Sequence, residues 1–293
     1  MPAVGDATRQ LLRRSNFLMN VARSVRDFLY KWGGSVRTNY EIVNQLAAFA
    51  PNSAGSLQAC GGIALEAARQ TFPLMASLIE TTAPKTIDGL FSNYTKEARE
   101  LSVLFNQHGS DKSSLHDYHL LYAPILSPRR TEPLRILEIG LGTNNPDVVS
   151  TMGREGRPGA SLRAFRDFLP NAAIFGADID RRVLFEETRI KTYYVDQTRA
   201  STFDDLAVML GNKSFDLIID DGLHSPNANI ATMLFALKLL KPRGYFVVED
   251  ISADAVPIWQ VIAALLSPKW QPTLIQAKHG LLFVLRAAAD KKQ

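Results

Sequence analysis

The chain has 293 residues, of which 46% are hydrophobic and 21% charged, and its formal net charge is +4. This balance excludes the disordered and fibrous classes, and the length allows one catalytic domain of about 150 residues or more with an appendage. The single cysteine, Cys60, excludes an intrachain disulfide. We expect a cytoplasmic protein without a membrane span, because the longest apolar runs fall short of the ~18 residues that a span requires.

The first third of the sequence carries helical patterns, in which apolar residues recur at three- and four-residue steps. The Gly61-Gly62 pair is expected to separate two of these helices, and Pro73 to kink or split the last. We assign residues 1–100 to a helical N-terminal region that either mediates oligomerisation or forms a wall of an acceptor pocket. Predicted helices lie at 8–32, 40–50 and 65–80.

From Arg135 onward, short β-rich apolar runs alternate with helical patterns, which is typical of a parallel sheet. The last two runs are joined by only a few residues, so they form a hairpin rather than a crossover. We predict an α/β fold over residues 101–293, with a mostly parallel, Rossmann-like seven-stranded sheet and a C-terminal antiparallel strand, as in class I methyltransferases. Predicted strands lie at 135–139, 173–177, 192–195, 215–219, 245–248, 272–277 and 281–286.

A helix is predicted between the fourth and fifth strands. Ser225 is expected to cap it and Pro226 to occupy its first turn, while the Pro242-Arg243-Gly244 run ends it. Its predicted buried stripe consists of Ile230, Met233, Leu234 and Leu237.

In open α/β sheets, ligands bind at the carboxyl ends of the strands. Here those ends are acidic or glycine-rich. Aspartate and glycine also form ordinary loops, but five consecutive strands that end in acids argue against a loop-forming role for all of them. The candidates are Glu138, Gly140, Gly142, Asp178, Asp196, Gln197, Asp220, Asp221, Glu249 and Asp250.

The glycine-rich turn after the first strand is compatible with a dinucleotide or with S-adenosylmethionine. A dinucleotide site requires a third glycine where this chain has Asn145, and an acid about 20 residues later, whereas Asp178 lies much further on. S-adenosylmethionine needs only close backbone approach, an acid for its ribose and a polar group near its adenine. Asp178, and Asp196 with Gln197, fit these roles.

The runs 220–224 and 249–250 follow neighbouring strands if the strands take the usual order. Carboxylate oxygens suit Mg2+, so we predict a divalent metal site there. Such a metal would bind a sugar hydroxyl pair and lower the pKa of one hydroxyl, leaving His224 to accept the proton as the methyl group moves. Each run alone is also typical of a helix start or a solvated strand end, but their conjunction favours catalysis.

About half of the chain, residues 108–251, resembles the metal-dependent sugar O-methyltransferases of bacterial natural-product and glycan pathways, the macrolide enzymes acting on mycinamicin and macrocin precursors among them. Each matching segment is short, and the order and spacing of the set are what make it specific. The segments are 108–112 with His116, Tyr118 and Tyr122, then 138–142, 159–163, 176–180, 196–197, 220–224 and 249–250.

The resemblance implies that Asp221, Glu249 and Asp250 hold Mg2+ and that His224 is the base. It also implies that Lys112 and Tyr118 lie near S-adenosylmethionine or at the mouth of the active site. Asp221 is assigned to catalysis beside His224. Among the matching positions, Glu138, Ser161 and Asp220 are assigned to the cofactor site as well.

The predicted function is methyl transfer from S-adenosylmethionine to a hydroxyl of a sugar, glycosylated natural product or glycan, by a homo-oligomer. A phenol or catechol acceptor, or a non-catalytic S-adenosylmethionine-binding assembly protein, stays open as an alternative. The modest charge argues against a nucleic-acid substrate. The long polar loop at 143–159 is predicted to be a lid. Unchanged protease sensitivity there with cofactor and acceptor bound would count against that prediction.

Overall fold

The computed structural model describes residues 54–87, 96–211, 214–266 and 268–289. The chain divides into two compact units, Met1–Leu78 and Ile79–Gln293. The helices predicted at 8–32 and 40–50 lie outside the described residues. The described part of the first unit contains helix α1 (Ala54–Ala76), which includes Gly61-Gly62 and continues past Pro73. The predicted break at the glycines was therefore wrong, since each glycine costs a helix only about 1 kcal/mol.

The second unit is built around a sheet whose described part has nine strands, in the order β1-β8-β9-β7-β6-β2-β3-β5-β4. The strands are β1 (Lys85–Thr86), β2 (Arg135–Ile139), β3 (Ala173–Asp178), β4 (Glu186–Glu187), β5 (Ile190–Tyr194), β6 (Phe215–Asp220), β7 (Leu240–Ile251), β8 (Trp270–Gln276) and β9 (Leu281–Ala287).

Five strands, β5, β3, β2, β6 and β7, form a continuous parallel core, and β9 is antiparallel to both β7 and β8. This arrangement confirms the predicted fold class and all seven predicted strands. The two additional strands have two residues each, and they pair at the sheet edges with β8 and β5. All parallel core strands end at the same edge of the sheet, where the predicted site residues lie.

Helices cover both faces of the sheet. Ile136 and Leu137, which are neighbours in β2, belong to different hydrophobic clusters, because successive side chains of a strand point to opposite faces. No described helix is both long enough and apolar enough to cross a bilayer. The helices of the second unit are α2 (Lys96–His108), α3 (Asp111–Ser114), α4 (His119–Leu126), α5 (Ala160–Phe168), α6 (Ala200–Met209), α7 (Pro226–Leu239) and α8 (Val256–Leu265), with 3-10 turns at Ser127–Arg129, Arg181–Val183 and Ala253–Ala255. Helix α2 crosses residue 100, the boundary predicted from the sequence.

The buried face of α7 differs from the predicted stripe. Leu234 is 55% exposed, whereas the polar Asn229 and Thr232 are buried. Asn229 donates to Asp220 Oδ2 at 3.1 Å, so part of the buried face of the helix is polar and faces the end of β6. A pattern of apolar residues cannot reveal a polar buried face. Ser225 is the N-cap residue as predicted, but its side chain makes no capping hydrogen bond.

Candidate active site

A cavity of about 460 Å3 opens at the carboxyl ends of the parallel strands. Its volume falls in the range of roughly 300–1,000 Å3 that is typical of small-molecule sites. Glu138 and Asp220 are fully buried and lie outside its lining. The other predicted site residues all line it: Lys112, Tyr118, Gly140, Gly142, Ser161, Asp178, Asp196, Gln197, Asp221, His224, Glu249 and Asp250.

The turn after β2 touches the turn after β6. Gly140 has φ +96°, and a Cβ at this position would lie 2.0 Å from the backbone oxygen of Asp221. The backbone N–H of Asp221 donates to the carbonyl of Ile139 at 2.8 Å, which continues the pairing of the two strands. Glycine is required at position 140 because any side chain would collide with the Asp221 backbone. The predicted cofactor turn and the predicted catalytic aspartate are thus in direct contact.

Asp178, at the end of β3, binds the same turn through hydrogen bonds. Its carboxylate accepts hydrogen bonds from the backbone N–H groups of Leu141, at 2.7 Å, and Asp180, at 2.8 Å. Burial raises the pKa of Asp178, and these two donors oppose the rise. The residue therefore holds the glycine turn in place while it lines the cavity, and its contact with a ribose stays a prediction.

Asp180 anchors the start of the predicted lid at 143–159. Its carboxylate accepts from Thr143 Oγ1 at 2.6 Å and from Asn145 Nδ2 at 2.7 Å. Arg182 donates to it at 2.7 Å, and this hydrogen bond is the main reason why the pKa of Asp180 lies well below its usual range. The carboxylate is charged at neutral pH, so these contacts persist there. Closure of the loop over ligands stays a prediction.

Gln197 links the ends of β5 and β6. Its amide donates to Asp220 Oδ1 at 2.8 Å, and its carbonyl oxygen accepts from the backbone N–H of Leu223 at 2.9 Å. Asp220 has no exposed surface, and burial raises its pKa. Asp220 therefore organises Gln197 and the following turn from behind the cavity wall. Asp196 accepts from the backbone and the hydroxyl of Thr198, at 2.9 and 2.6 Å.

Asp221, His224 and Asp250 come together at the cavity floor, with one ligand atom from each lying within 4.8 Å of the others. His224 Nε2 is 3.8 Å from Asp221 Oδ1 and 3.9 Å from Asp250 Oδ2. His224 and Asp250 have φ values of +53° and +54°. Such left-handed backbone is strained for residues other than glycine and is common at functional sites. The imidazole side chain is 36% exposed, so it is accessible to an acceptor.

Lys112 lies beneath this group, and its side chain is only 3% exposed. The ammonium contacts Asp221 Oδ2 at 2.6 Å, Glu138 Oε1 at 3.1 Å and Glu249 Oε2. Burial disfavours the charged lysine, but the three carboxylates more than offset this and raise the pKa of Lys112 well above its ordinary value. Glu138 also accepts from Ser161 Oγ at 2.6 Å. Lys112 therefore pairs with acids at the ends of three different strands.

Two tyrosines each donate to one carboxylate oxygen of the group. Tyr122 donates to Glu249 Oε1, and Tyr118 donates to Asp250 Oδ1 at 2.5 Å. Burial and the neighbouring carboxylates raise the pKa of both tyrosines, so both stay protonated and able to donate. Sequence reasoning gave Tyr122 no role, because an aromatic residue in the apolar helix α4 resembles a core residue. Only its match to the family segment marked it.

Two of these carboxylates fit a divalent cation. Asp221 Oδ1 and Asp250 Oδ2 come together beside His224, and hard carboxylate oxygens are the ligands that Mg2+ prefers. Both oxygens of Glu249, the third predicted ligand, are engaged by Lys112 and Tyr122. The place of Glu249 among the metal ligands therefore stays a prediction.

No family model matches the chain. It is 31% identical over 161 residues to the 8-demethyl-8-α-L-rhamnosyl tetracenomycin-C 2'-O-methyltransferase of Streptomyces olivaceus, a match that covers 55% of this chain and 40% of that protein. It is 34% identical over 155 residues to the mycinamicin VI 2''-O-methyltransferase of Micromonospora griseorubida, covering 52% and 36%. The matched region thus spans well under half the length of these curated relatives.

Among solved structures, the chain is similar to the MycE methyltransferase from the mycinamycin pathway in complex with Mg, SAH and mycinamycin VI. The TM-score is 0.51 at 25% identity, and the match covers 66% of this chain and 56% of that one. These similarities confirm the resemblance to sugar O-methyltransferases and the Rossmann-like methyltransferase fold that the sequence predicted.

Proposed function

We propose that this chain transfers a methyl group from S-adenosylmethionine to a hydroxyl of a sugar or glycosylated small molecule, with a divalent cation at Asp221 and Asp250. The observation that supports it best is the position of His224 Nε2, 3.8 and 3.9 Å from those two carboxylates, in a cavity that the Gly140 turn and Asp178 also line. The named activities of the curated relatives, and the Mg and SAH in the MycE complex, agree with it.

The cofactor would lie along the glycine turn, where Gly140 and Gly142 have positive φ and line the cavity. Asp178 would accept its ribose hydroxyls, and Asp196 with Gln197 would face its adenine. This placement directs the methyl group toward His224 and the acids at the ends of β6 and β7. Holding the two reactants in line supplies a large part of the rate acceleration in such a transfer.

In the reaction, the acceptor oxygen bonds to the methyl carbon while the bond from that carbon to sulfur breaks, and the oxygen loses its proton. His224 Nε2 is placed to accept this proton, because its imidazole is exposed and lines the cavity. A divalent cation held by Asp221 and Asp250 would polarise the acceptor oxygen and lower the pKa of its hydroxyl.

Replacing His224 by alanine, or Asp221 by asparagine, is expected to lower turnover by about 10²–10⁴-fold. S-adenosylmethionine binding should stay within about threefold of the wild type, because neither side chain belongs to the proposed cofactor contacts. Turnover of a panel of glycoside and phenol acceptors with labelled cofactor, together with calorimetry, measures both. Asp205→Asn, an exposed change on α6, is the control.

Retained turnover in either variant, or in EDTA-treated protein, would contradict the mechanism. Cofactor binding without any turnover and without any effect of Mg2+ would instead support a non-catalytic binding protein. Transfer to phenols but to no glycoside would contradict the sugar acceptor and leave the metal chemistry in place.

We further propose a cytoplasmic homo-oligomer in which residues 1–100 form a subunit contact or a wall of the acceptor pocket, and whose substrate is not a nucleic acid. The single cysteine and the modest charge of +4 support the location and the substrate class. Light scattering tests the assembly: a mass of 32.4 kDa in solution would identify a monomer and contradict it.

A further inference from the structure

One short segment contacts every carboxylate that is predicted to bind the metal. We call residues 111–122 the holding segment, because Lys112, Tyr118 and Tyr122 all lie on it. The backbone N–H of Tyr118 donates to the carbonyl of Lys112 at 2.7 Å, so two of these residues are tied to each other before they reach the sheet. The segment precedes the strands in the sequence and lies across the ends of β6 and β7.

Tyr118 holds Asp250 at two points. Its hydroxyl donates to Asp250 Oδ1 at 2.5 Å and accepts from the backbone N–H of the same residue at 3.4 Å. Asp250 needs such support, because its φ is +54° and the pairing of β7 with β9 shifts register at this point. With Oδ1 held, Oδ2 is the oxygen that faces His224, at 3.9 Å.

Tyr122 holds Glu249 through one hydrogen bond. The tyrosine is fully buried, and its ring packs edge-on against Phe165 with the ring centroids 5.3 Å apart. Its position is therefore fixed by the core, and its hydroxyl donates to Glu249 Oε1. Lys112 binds the other oxygen of Glu249 and Oδ2 of Asp221, leaving Asp221 Oδ1 toward His224.

We propose that Tyr118 and Tyr122 are positioning residues for the divalent metal site: the hydroxyl of Tyr118 orients Asp250 directly, and the hydroxyl of Tyr122 acts on Asp221 through Glu249 and Lys112. This inference rests on the proposed function. It assigns Tyr118 to the support of the metal site, whereas the sequence alone assigns this residue to the cofactor site. Partners of metal ligands typically change metal affinity about 10–100-fold when they are lost.

The test is the affinity of the full chain for Mn2+, used alone as a paramagnetic probe and followed by electron paramagnetic resonance without cofactor or acceptor. Tyr118→Phe and Tyr122→Phe each remove one hydroxyl and keep the ring. Each is expected to raise the Mn2+ dissociation constant at least about tenfold. Tyr245→Phe is the matched control, since Tyr245 lies at the opposite end of the parallel strands, and it should bind within about twofold of the wild type.

Thermal unfolding of each variant separates positioning from a purely structural role, because the titration is performed on protein that is folded at the chosen temperature. A lower melting temperature with wild-type Mn2+ affinity, in either variant, overturns the inference. A wild-type protein that binds no Mn2+ instead contradicts the metal site of the proposed function. The two failures are therefore distinguishable.

Discussion

Replacing Lys112 by methionine is expected to lower the free energy of unfolding by about 3–5 kcal/mol. The ammonium is 3% exposed and contacts three carboxylates, and Glu138 and Glu249 have almost no access to water. Methionine has a similar length but no charge, so the variant leaves buried acids without a counter-ion. Urea unfolding followed by circular dichroism measures the change.

Lys191→Met is the matched control, because Lys191 is 51% exposed and its nearest carboxylate oxygen, on Glu186, is 3.7 Å away. An exposed pair of this kind contributes less than about 1 kcal/mol. Adding Glu249→Gln to Lys112→Met should recover part of the lost stability, since it removes one of the uncompensated charges. A Lys112→Met protein within about 1 kcal/mol of the wild type would show that the buried network is not needed for folding.

Gly140→Ala is expected to lower the free energy of unfolding by about 2–5 kcal/mol, combining steric overpacking with the cost of left-handed backbone. The new Cβ would lie 2.0 Å from the Asp221 carbonyl oxygen, and no flexible side chain there can move aside. The turn after β6 must shift, so we also expect S-adenosylmethionine to bind at least about a hundredfold more weakly, equivalent to about 2.8 kcal/mol. Calorimetry and urea unfolding report the two effects.

Gly153→Ala separates the cost of steric overpacking from the cost of left-handed backbone. Gly153 has φ +76°, close to the left-handed values of the turn, but a Cβ there would meet no atom of the described residues within 4 Å beyond its chain neighbours. The control should therefore lose only the backbone cost of about 1–2 kcal/mol of folding stability. Equal losses in the two variants would mean that the contact between Gly140 and Asp221 has no special importance.

The strands were predictable where an apolar run is bounded on both sides. Strand β2 has its predicted bounds, Arg135–Ile139. Strand β7 begins five residues before its prediction, at Leu240, because Pro242 and Gly244 suggest a turn. Pro242 and Gly244 lie where the pairing of β6 with β7 shifts register. Irregular positions of this kind in a strand tolerate both proline and glycine. Two-residue strands such as β1 and β4 carry no period that a pattern could reveal.

The acids of the site were predictable because they end strands, but their partners were not. Lys112 is separated from Asp221 by 109 residues and from Glu249 by 137. Their contact depends on how α3 and α4 pack over the strand ends, which local sequence does not encode. The left-handed backbone of His224 and Asp250 was not predicted either, because histidine and aspartate, although enriched in that region, adopt it in only a small fraction of cases. The sequence therefore predicts which residues belong to the site, but it does not predict the contacts among them.

The contact of Lys112 with Glu138, Asp221 and Glu249 also bears on the order in which the molecule assembles. Without the lysine, the ends of β2, β6 and β7 would bring three carboxylates together away from water. Their mutual repulsion would then oppose the pairing of these strands. Ribosomes synthesise Lys112 before any of its three partners. The nascent chain therefore already contains the cation that offsets part of this repulsion when each acid emerges.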